Sequence, residues 1–329
     1  MKEQFVFGWL FLAALAYLSE ILSSLIVVHG KHPVEAAVIA IIIGAALRNS
    51  LSLPQILETG VKAFEKPLVL GIVLLGAAFD YQKTMSESSA LLAVILGTML
   101  IGFLTTLFLS KFFQLPTNLG ILLSLGTTIC GGTAIAVCAP LMKAKEEETS
   151  YAIGVIALWG LLALLLYPTL AHYLGVSDYR FGVFAGTAIH STPQVVGAGY
   201  MYSEEAGGVA TAVKLLRNCF LAPAAFLIAV WYQKSQSASK GAYLKAVPWF
   251  LFGYFLMAWC NSQGYFTQEG SSAFQNAGKF LVLVGMVGVG LSTRISSFRA
   301  LGSKPIVVGL VGAIVVALSS IALSSLLLS

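Results

Sequence analysis

The sequence is short of charge. Of 329 residues, 19 are Lys or Arg and 14 are Asp or Glu, so charged residues make up 10% of the chain. Soluble domains carry about 25%, and a water-facing surface cannot be assembled from so few. No apolar stretch has an Asp or Glu clearly at its centre; Glu20 and Glu35 come nearest and lie toward the ends of theirs. The four cysteines, Cys130, Cys138, Cys219 and Cys260, sit inside apolar stretches without metal-ligand spacing, which argues for packing rather than disulfides or a thiolate metal site. Only four histidines occur, His29, His32, His172 and His190, and no Ser-His-Asp arrangement accompanies them. An intramembrane enzyme built on His190 and Cys130 therefore has little support, and no cofactor or metal is expected. There is no nucleotide-binding loop, so ATP-driven transport would need another subunit. The net charge of +5 comes from residues scattered near helix ends, which gives no footprint for nucleic acid.

What the sequence does contain is apolar. Hydrophobic residues are 58% of the chain, and the mean hydropathy is +0.88. Apolar runs recur from end to end, and residues 5–19 lack a small-residue cleavage site, so they read as a first helix rather than a removed signal. At about 20 residues per crossing, eleven candidate spans emerge: 5–28, 33–47, 67–79, 90–109, 119–142, 151–173, 181–200, 207–232, 247–261, 273–291 and 305–327. The fold class expected is an all-α polytopic membrane protein, a single transmembrane domain over residues 1–329 in the lipid bilayer. The second, third and ninth spans are short enough to be tilted or re-entrant. The polar connection 48–66 contains Leu51, Leu53, Ile56, Leu57, Val61 and Phe64 and reads as an amphipathic interfacial helix.

Basic residues set the orientation. With eleven spans, the N-terminal side holds Lys2, Arg48, Lys62, Lys66, Lys111, Arg180, Lys234, Lys240, Lys245, Arg294, Arg299 and Lys304. The other side holds Lys31, Lys83, Lys143, Lys145 and Lys279. The bias of twelve to five expects a cytoplasmic N-terminus and a C-terminus outside.

Two polar stretches interrupt the apolar pattern. Residues 126–135 read Gly-Thr-Thr-Ile-Cys-Gly-Gly-Thr-Ala-Ile, and residues 186–195 read Gly-Thr-Ala-Ile-His-Ser-Thr-Pro-Gln-Val. Glycine weakens a helix, threonine can satisfy carbonyls locally, and Pro193 lacks the amide hydrogen a helix interior needs. Spans 119–142 and 181–200 are therefore candidate broken helices at the midplane, a device that exposes backbone groups to an ion or solute. Shifted by sixty residues, the two share Gly-Thr-x-Ile, which points to a duplication. As full spans, however, they run the same way, against an inverted repeat. The tenth span, with Gly285, Gly288 and Gly290, is the competing inverted partner for the fifth. A plain packing seam of small residues is the bland alternative for both stretches.

The eighth span carries Lys214 and Arg217 one helical turn apart. Arg217 lies on the order of 15 Å from the span's outer end. A charge there costs about 2.5–3.5 kcal/mol, and a substrate pathway is the usual reason to keep it. The residues expected to form one anion site are Thr127, Thr128, Cys130, Gly131, Gly132, Thr133, His190, Ser191, Thr192, Gln194, Lys214, Arg217 and Asn218. Arginine offers a donor fork for an oxyanion, lysine a point charge, and the hydroxyls and amides further donors. In this reading Arg217 touches the anion, and its neutralisation leaves the fold intact.

These motifs, together with the stretch 70–76 (Leu-Gly-Ile-Val-Leu-Leu-Gly) and Val-Lys-Leu-Leu-Arg at 213–217, resemble the YeiH-type sulfate-exporter family of bacterial inner-membrane proteins along nearly the whole chain. That family looks distantly related to the bile-acid/sodium symporter-like superfamily. The resemblance implies inverted repeats with crossed, broken helices, a panel and a core, and elevator-like alternating access. It also implies sulfate or a related oxyanion as substrate, a bacterial inner-membrane location, and a coupling proton or sodium ion and a homo-oligomer as partners to look for. Ser191 departs from the pattern, where a Glu is expected directly after the His, so a proton-carrying acid is missing there. An anion channel and a structural scaffold are the competing classes; the scaffold gives no account of Arg217.

Overall fold

The computed structural model describes residues 2–25, 36–78, 88–233, 249–293 and 302–328. Among them run fifteen helices: α1 (Lys2–Leu25), α2 (Ala36–Ser50), α3 (Gln55–Lys62), α4 (Glu65–Leu75), α5 (Ser88–Phe112), α6 (Thr117–Thr128), α7 (Gly132–Leu141), α8 (Glu146–Tyr173), α9 (Asp178–Ala188), α10 (Thr192–Tyr202), α11 (Glu204–Asn218), α12 (Leu221–Gln233), α13 (Trp249–Ser262), α14 (Gln268–Ser292) and α15 (Ser303–Leu327). Six stretches among the described residues are long and apolar enough to cross a membrane: Phe5–Leu25, Ser89–Phe112, Glu146–Tyr173, Glu204–Tyr232, Gln268–Ser292 and Ser303–Leu327. The chain is an all-α polytopic membrane protein. The span ends expected at 28, 33, 79 and 247, and the connection through Lys245, lie outside the described residues. By contacts the chain divides into two compact units, Met1–Gln82 with Phe250–Ser296, and Lys83–Trp249 with Ser297–Ser329.

In the first unit α14 packs against α1, α2 and α4. Its glycines do not break it: the helix runs from Gln268 to Ser292 without interruption. They are contact points instead. Gly278 lies against Gly71, Gly285 against Leu68, and Gly288 against Phe64, while a Cβ on Gly290 would come within 2.3 Å of the Ile41 carbonyl oxygen. Such close helix approach depends on small residues. Gly290→Val is therefore expected to push α2 off α14 and destabilise the protein by about 1–3 kcal/mol, the usual range for overpacking. A thermal midpoint unchanged from wild type would contradict this contact.

The connection 48–66 resolves into α3 and the start of α4. Gly60 and Val61 of α3 are buried, and Gly8 of α1 comes so close that a Cβ there would sit 2.5 Å from the Gly60 Cα. The helix is thus docked on α1. On its outer side Lys62 and Arg48 reach Glu58 at 3.4 and 3.6 Å. Lys62 above all, with Arg48 adding to it, holds the Glu58 carboxyl below the usual carboxylate range. The pair's modest contribution is present at neutral pH and fades as pH falls through that lowered value.

The second unit is built around α8. Its 28 residues span about 42 Å at 1.5 Å per residue. α6 and α7 precede its N-terminal end, and α9 and α10 follow its C-terminal end. Each pair folds back on itself. A Cβ on Gly126 would lie 2.8 Å from Ile135 Cδ1, whereas nine residues of continuous helix would set them about 13 Å apart. Leu115 and Pro116, before α6, line the same cavity of about 500 Å³ as Lys145, after α7. In the second pair the Tyr202 hydroxyl donates to the Val176 carbonyl, and the Tyr202 and Phe181 rings stack at 4.2 Å.

Backbone geometry explains both turns. After Thr128, Ile129 leaves the helix at φ −107°, ψ −89°, and Gly131 takes φ +68°, which costs glycine nothing. After Ala188, Ile189 and Ser191 are extended. Pro193 does not cause the second break; it sits in the first turn of α10, where a missing amide hydrogen is no loss. Residues 119–142 and 181–200 are accordingly two helical hairpins rather than single spans. Their limbs are 12, 10, 11 and 11 residues long, too short to cross. An apolar run of the right length does not distinguish one crossing from two half-crossings, so length alone takes each hairpin for a single span.

Candidate functional site

The two hairpins enter from opposite ends of α8 and meet at its middle. A Cβ on Gly131 would be 3.2 Å from the Ser191 Cβ and 3.4 Å from Ile156. Gln194 Nε2 donates to the Ala157 carbonyl at 3.4 Å, and Gly160 abuts the Gln194 side-chain amide so closely that a Cβ would meet Oε1 at 2.1 Å. Ile156 to Gly160 is the centre of α8. The parity conflict posed by two same-way spans therefore disappears.

α11 runs alongside both tips. Gly182 and Gly186 of α9 lie against Val209 and Val213, a parallel register that brings Lys214 and Arg217 to the height of the breaks. Both are fully buried, and among the described residues no carboxylate lies within ion-pair distance of either. Their partners are backbone carbonyls. Lys214 Nζ donates to Ile129 at 2.8 Å, Ile189 at 3.0 Å and His190 at 2.5 Å. Arg217 Nε donates to Thr128, Nη1 to Thr187 at 2.5 Å and Nη2 to Thr127 at 2.8 Å. These carbonyls lie at or just beyond the C-terminal ends of α6 and α9, where helix hydrogen bonds run out and the macrodipole is negative.

The shared Gly-Thr-x-Ile motif is the key to this arrangement. Arg217 bonds the threonine carbonyl that follows glycine in each copy, Thr127 and Thr187; Lys214 bonds the isoleucine carbonyl in each, Ile129 and Ile189. Each cation clamps equivalent atoms of the two tips. Thr187, Ile129 and Ile189 were absent from the expected site because they act through backbone rather than side chain. The repeated motif was the signal that marked them. The Ala157–Gly160 stretch of α8 was also absent, and nothing in its composition marks it.

The other expected residues divide by what they face. Thr128 Oγ1 donates to Ser124 O at 2.7 Å and is used up within its own helix. Thr127 Oγ1 and both ring nitrogens of His190 are buried without a hydrogen-bond partner. Asn218 Nδ2 donates to Thr192 Oγ1 at 3.1 Å, leaving its Oδ1 buried and unpartnered. The Ser191 amide donates to Gln194 Oε1 at 3.3 Å. Cys130 is buried in the first tip. Gly132 is half-buried and Thr133 exposed; a Cβ on Gly132 would meet nothing within 4 Å, and no side chain caps the N-terminus of α7. The site thus gathers two helix C-terminal ends closed by cations, and two helix N-terminal ends. Among the described residues no group of three His, Cys, Asp or Glu side chains is placed to hold a metal ion.

Residues 7–309 match the model of the family described as conserved hypothetical protein 698. The chain belongs to this family. It is 33% identical over 280 residues to a UPF0324 membrane protein of Bacillus anthracis, covering 84% of this chain and 82% of the relative. A UPF0324 membrane protein of Streptococcus pneumoniae is 33% identical over 304 residues, with 89% and 90% covered. One from Clostridium tetani is 28% identical over 334 residues, with 97% and 96% covered. The match includes both hairpins and the α11 cations, and of the second unit it leaves out only residues 310–329, most of α15.

Proposed function

We propose that the protein is a secondary transporter of a small anion, of the sulfate-like oxyanion class, bound at the junction of the two hairpin tips. One observation carries the reading. The carbonyl ends of α6 and α9 are already closed by Lys214 and Arg217, and the Ser191–Gln194 capping box partly closes the start of α10, so the groups left to face a ligand are above all the uncapped amides that begin α7. Helix N-termini present backbone donors and positive potential to an anion. Open space at Gly132, an exposed Thr133 beside it, and the buried unpartnered His190 ring support the same place. Arg217 uses three of its five N–H groups on carbonyls, so its role is to build the site and lend it charge, with two donors left toward a ligand.

Alternating access is the mode of transport that the same parts support. The division into two compact units supports one unit serving as a frame and the hairpin unit as the moving carrier. Orientation is supported by recounting basic residues with both hairpins folding back. Lys143 and Lys145 then join Lys111 on the N-terminal side and Arg180 leaves it, turning twelve to five into thirteen to four. The N-terminus is cytoplasmic in this reading, the C-terminus is outside, and the two hairpins enter from opposite faces as an inverted pair.

The test is ligand-dependent stability. Sulfate at a hundredfold its dissociation constant should stabilise the purified protein by about 2.7 kcal/mol relative to chloride at equal ionic strength. Gly132→Val should abolish that gain while leaving the unliganded thermal midpoint near wild type, because its side chain enters open space rather than the core. A wild-type protein indifferent to sulfate and to related oxyanions, or a Gly132→Val protein that responds fully, would remove the site.

A further inference from the structure

Discontinuous helices in transporters ordinarily aim the carbonyls of their C-terminal ends at a dissolved coupling cation. Here such carbonyls converge from both hairpins, and the place at their focus holds a side chain. The Lys214 ammonium has three hydrogens and no acceptor, and it meets three carbonyls: Ile129 at 2.8 Å from the first tip, Ile189 at 3.0 Å and His190 at 2.5 Å from the second. Every donor is matched to an oxygen, and all three oxygens are neutral.

We propose that Lys214 is a tethered cation standing in the place of a dissolved monovalent one, so that the two hairpin tips are held together without sodium. The anchor is α11, whose register against α9 is set by Gly182 on Val209 and Gly186 on Val213. Because the ammonium is covalently attached, its occupancy does not depend on concentration, and it travels with the hairpins rather than dissociating on one side of the membrane. The tips, and the amide ends of α7 and α10 that start from them, are therefore assembled before any solute arrives. In the transporter reading, on which this consequence rests, anion movement is not driven by a sodium gradient. Arg217 reinforces the junction through Thr127, Thr128 and Thr187, but its planar fork does not imitate a spherical ion.

The experiment uses the full-length protein in detergent and sodium itself as the probe. Thermal midpoints are measured in sodium chloride and in choline chloride at constant ionic strength. Wild type is expected to give the same midpoint in both. Lys214→Ala is expected to melt lower in choline and to recover saturably with sodium or with ethylammonium, either of which can enter the vacated carbonyl cage. A saturable, sodium-specific rise in wild type would overturn the proposal. So would a Lys214→Ala protein as stable as wild type in choline, or one that neither cation restores. Should Lys214→Ala yield folded protein only when prepared with one of these cations, the proposal is supported. Should it yield none at all, Lys214→Met keeps the volume without the charge: a midpoint below wild type and indifferent to sodium is expected, and wild-type stability would overturn the assignment. Loss of the sulfate response alone, with these cation results intact, would remove the anion reading and leave the tethered cation standing.

Discussion

Arg217→Gln should destabilise the protein by about 2–6 kcal/mol, the cost of leaving two of three buried acceptors without a donor. The loss comes from the carbonyls. Thr127, Thr128 and Thr187 each accept from the guanidinium, and an orphaned buried acceptor costs about 1–3 kcal/mol. A glutamine amide can restore one of these bonds but not three across two hairpins. Arg217→Lys should fall between, since it keeps the charge and loses the fork. Thermal midpoints in matched detergent would measure all three proteins. A wild-type midpoint for Arg217→Gln would mean that these bonds hold nothing together. The expectation drawn from sequence, that neutralising Arg217 leaves the fold intact, is replaced here because it assumed a charge waiting for a ligand rather than one bonded to two helix ends.

Labelling from outside should reverse the sidedness of two positions relative to an eleven-span protein. In a background with the native cysteines replaced, Gln114→Cys and Lys143→Cys flank the first hairpin and should react from the same side. Arg180→Cys, at the base of the second, should react from the other. Eleven full spans would instead put Gln114 and Arg180 together with Lys143 opposite. The outcome is all or nothing for each position, because a membrane-impermeant maleimide reaches one face only. Lys143 labelled from the face that also labels Arg180 would remove the paired hairpins entering from opposite faces.

Much of this molecule can be read from residue order because the constraints are local. Apolar length identifies α1, α5, α8, α14 and α15 to within a few residues, and the low charge content excludes a soluble fold. Glycine in an apolar run marks the first polar stretch, 126–135, for the right physical reason, since Gly131 takes the positive φ of the turn; the second, 186–195, is marked by Pro193, which is not what breaks it. What the two stretches do after leaving the helix was not legible. The fold-back depends on Ile135 packing against Gly126 and on Tyr202 reaching Val176, contacts between residues that no periodicity connects. The same gap hid the partners of Lys214 and Arg217. A search for a counter-charge looks for carboxylates, while the partners here are backbone oxygens that every residue possesses. Pro193 shows the converse, a residue whose breaking power was evident but whose place in the first turn of α10 makes it a helix starter. The α14 glycines show that one composition serves two ends, since there they permit contact without any break.

The 28 residues of α8 act as a gauge. The base of one hairpin is fixed at each end of this helix, and both tips must arrive at its middle, beside Ile156 and Gly160. One residue inserted in α8 would draw the bases about 1.5 Å further apart and turn one against the other by roughly 100°. The carbonyls of Ile129 and Ile189 would then no longer reach a common nitrogen. Within this family, length should consequently be free to vary in the connections outside the hairpin unit, whereas the stretch between the hairpins should admit exchange of side chains, except where Gly160 meets Gln194, but not a change in their number.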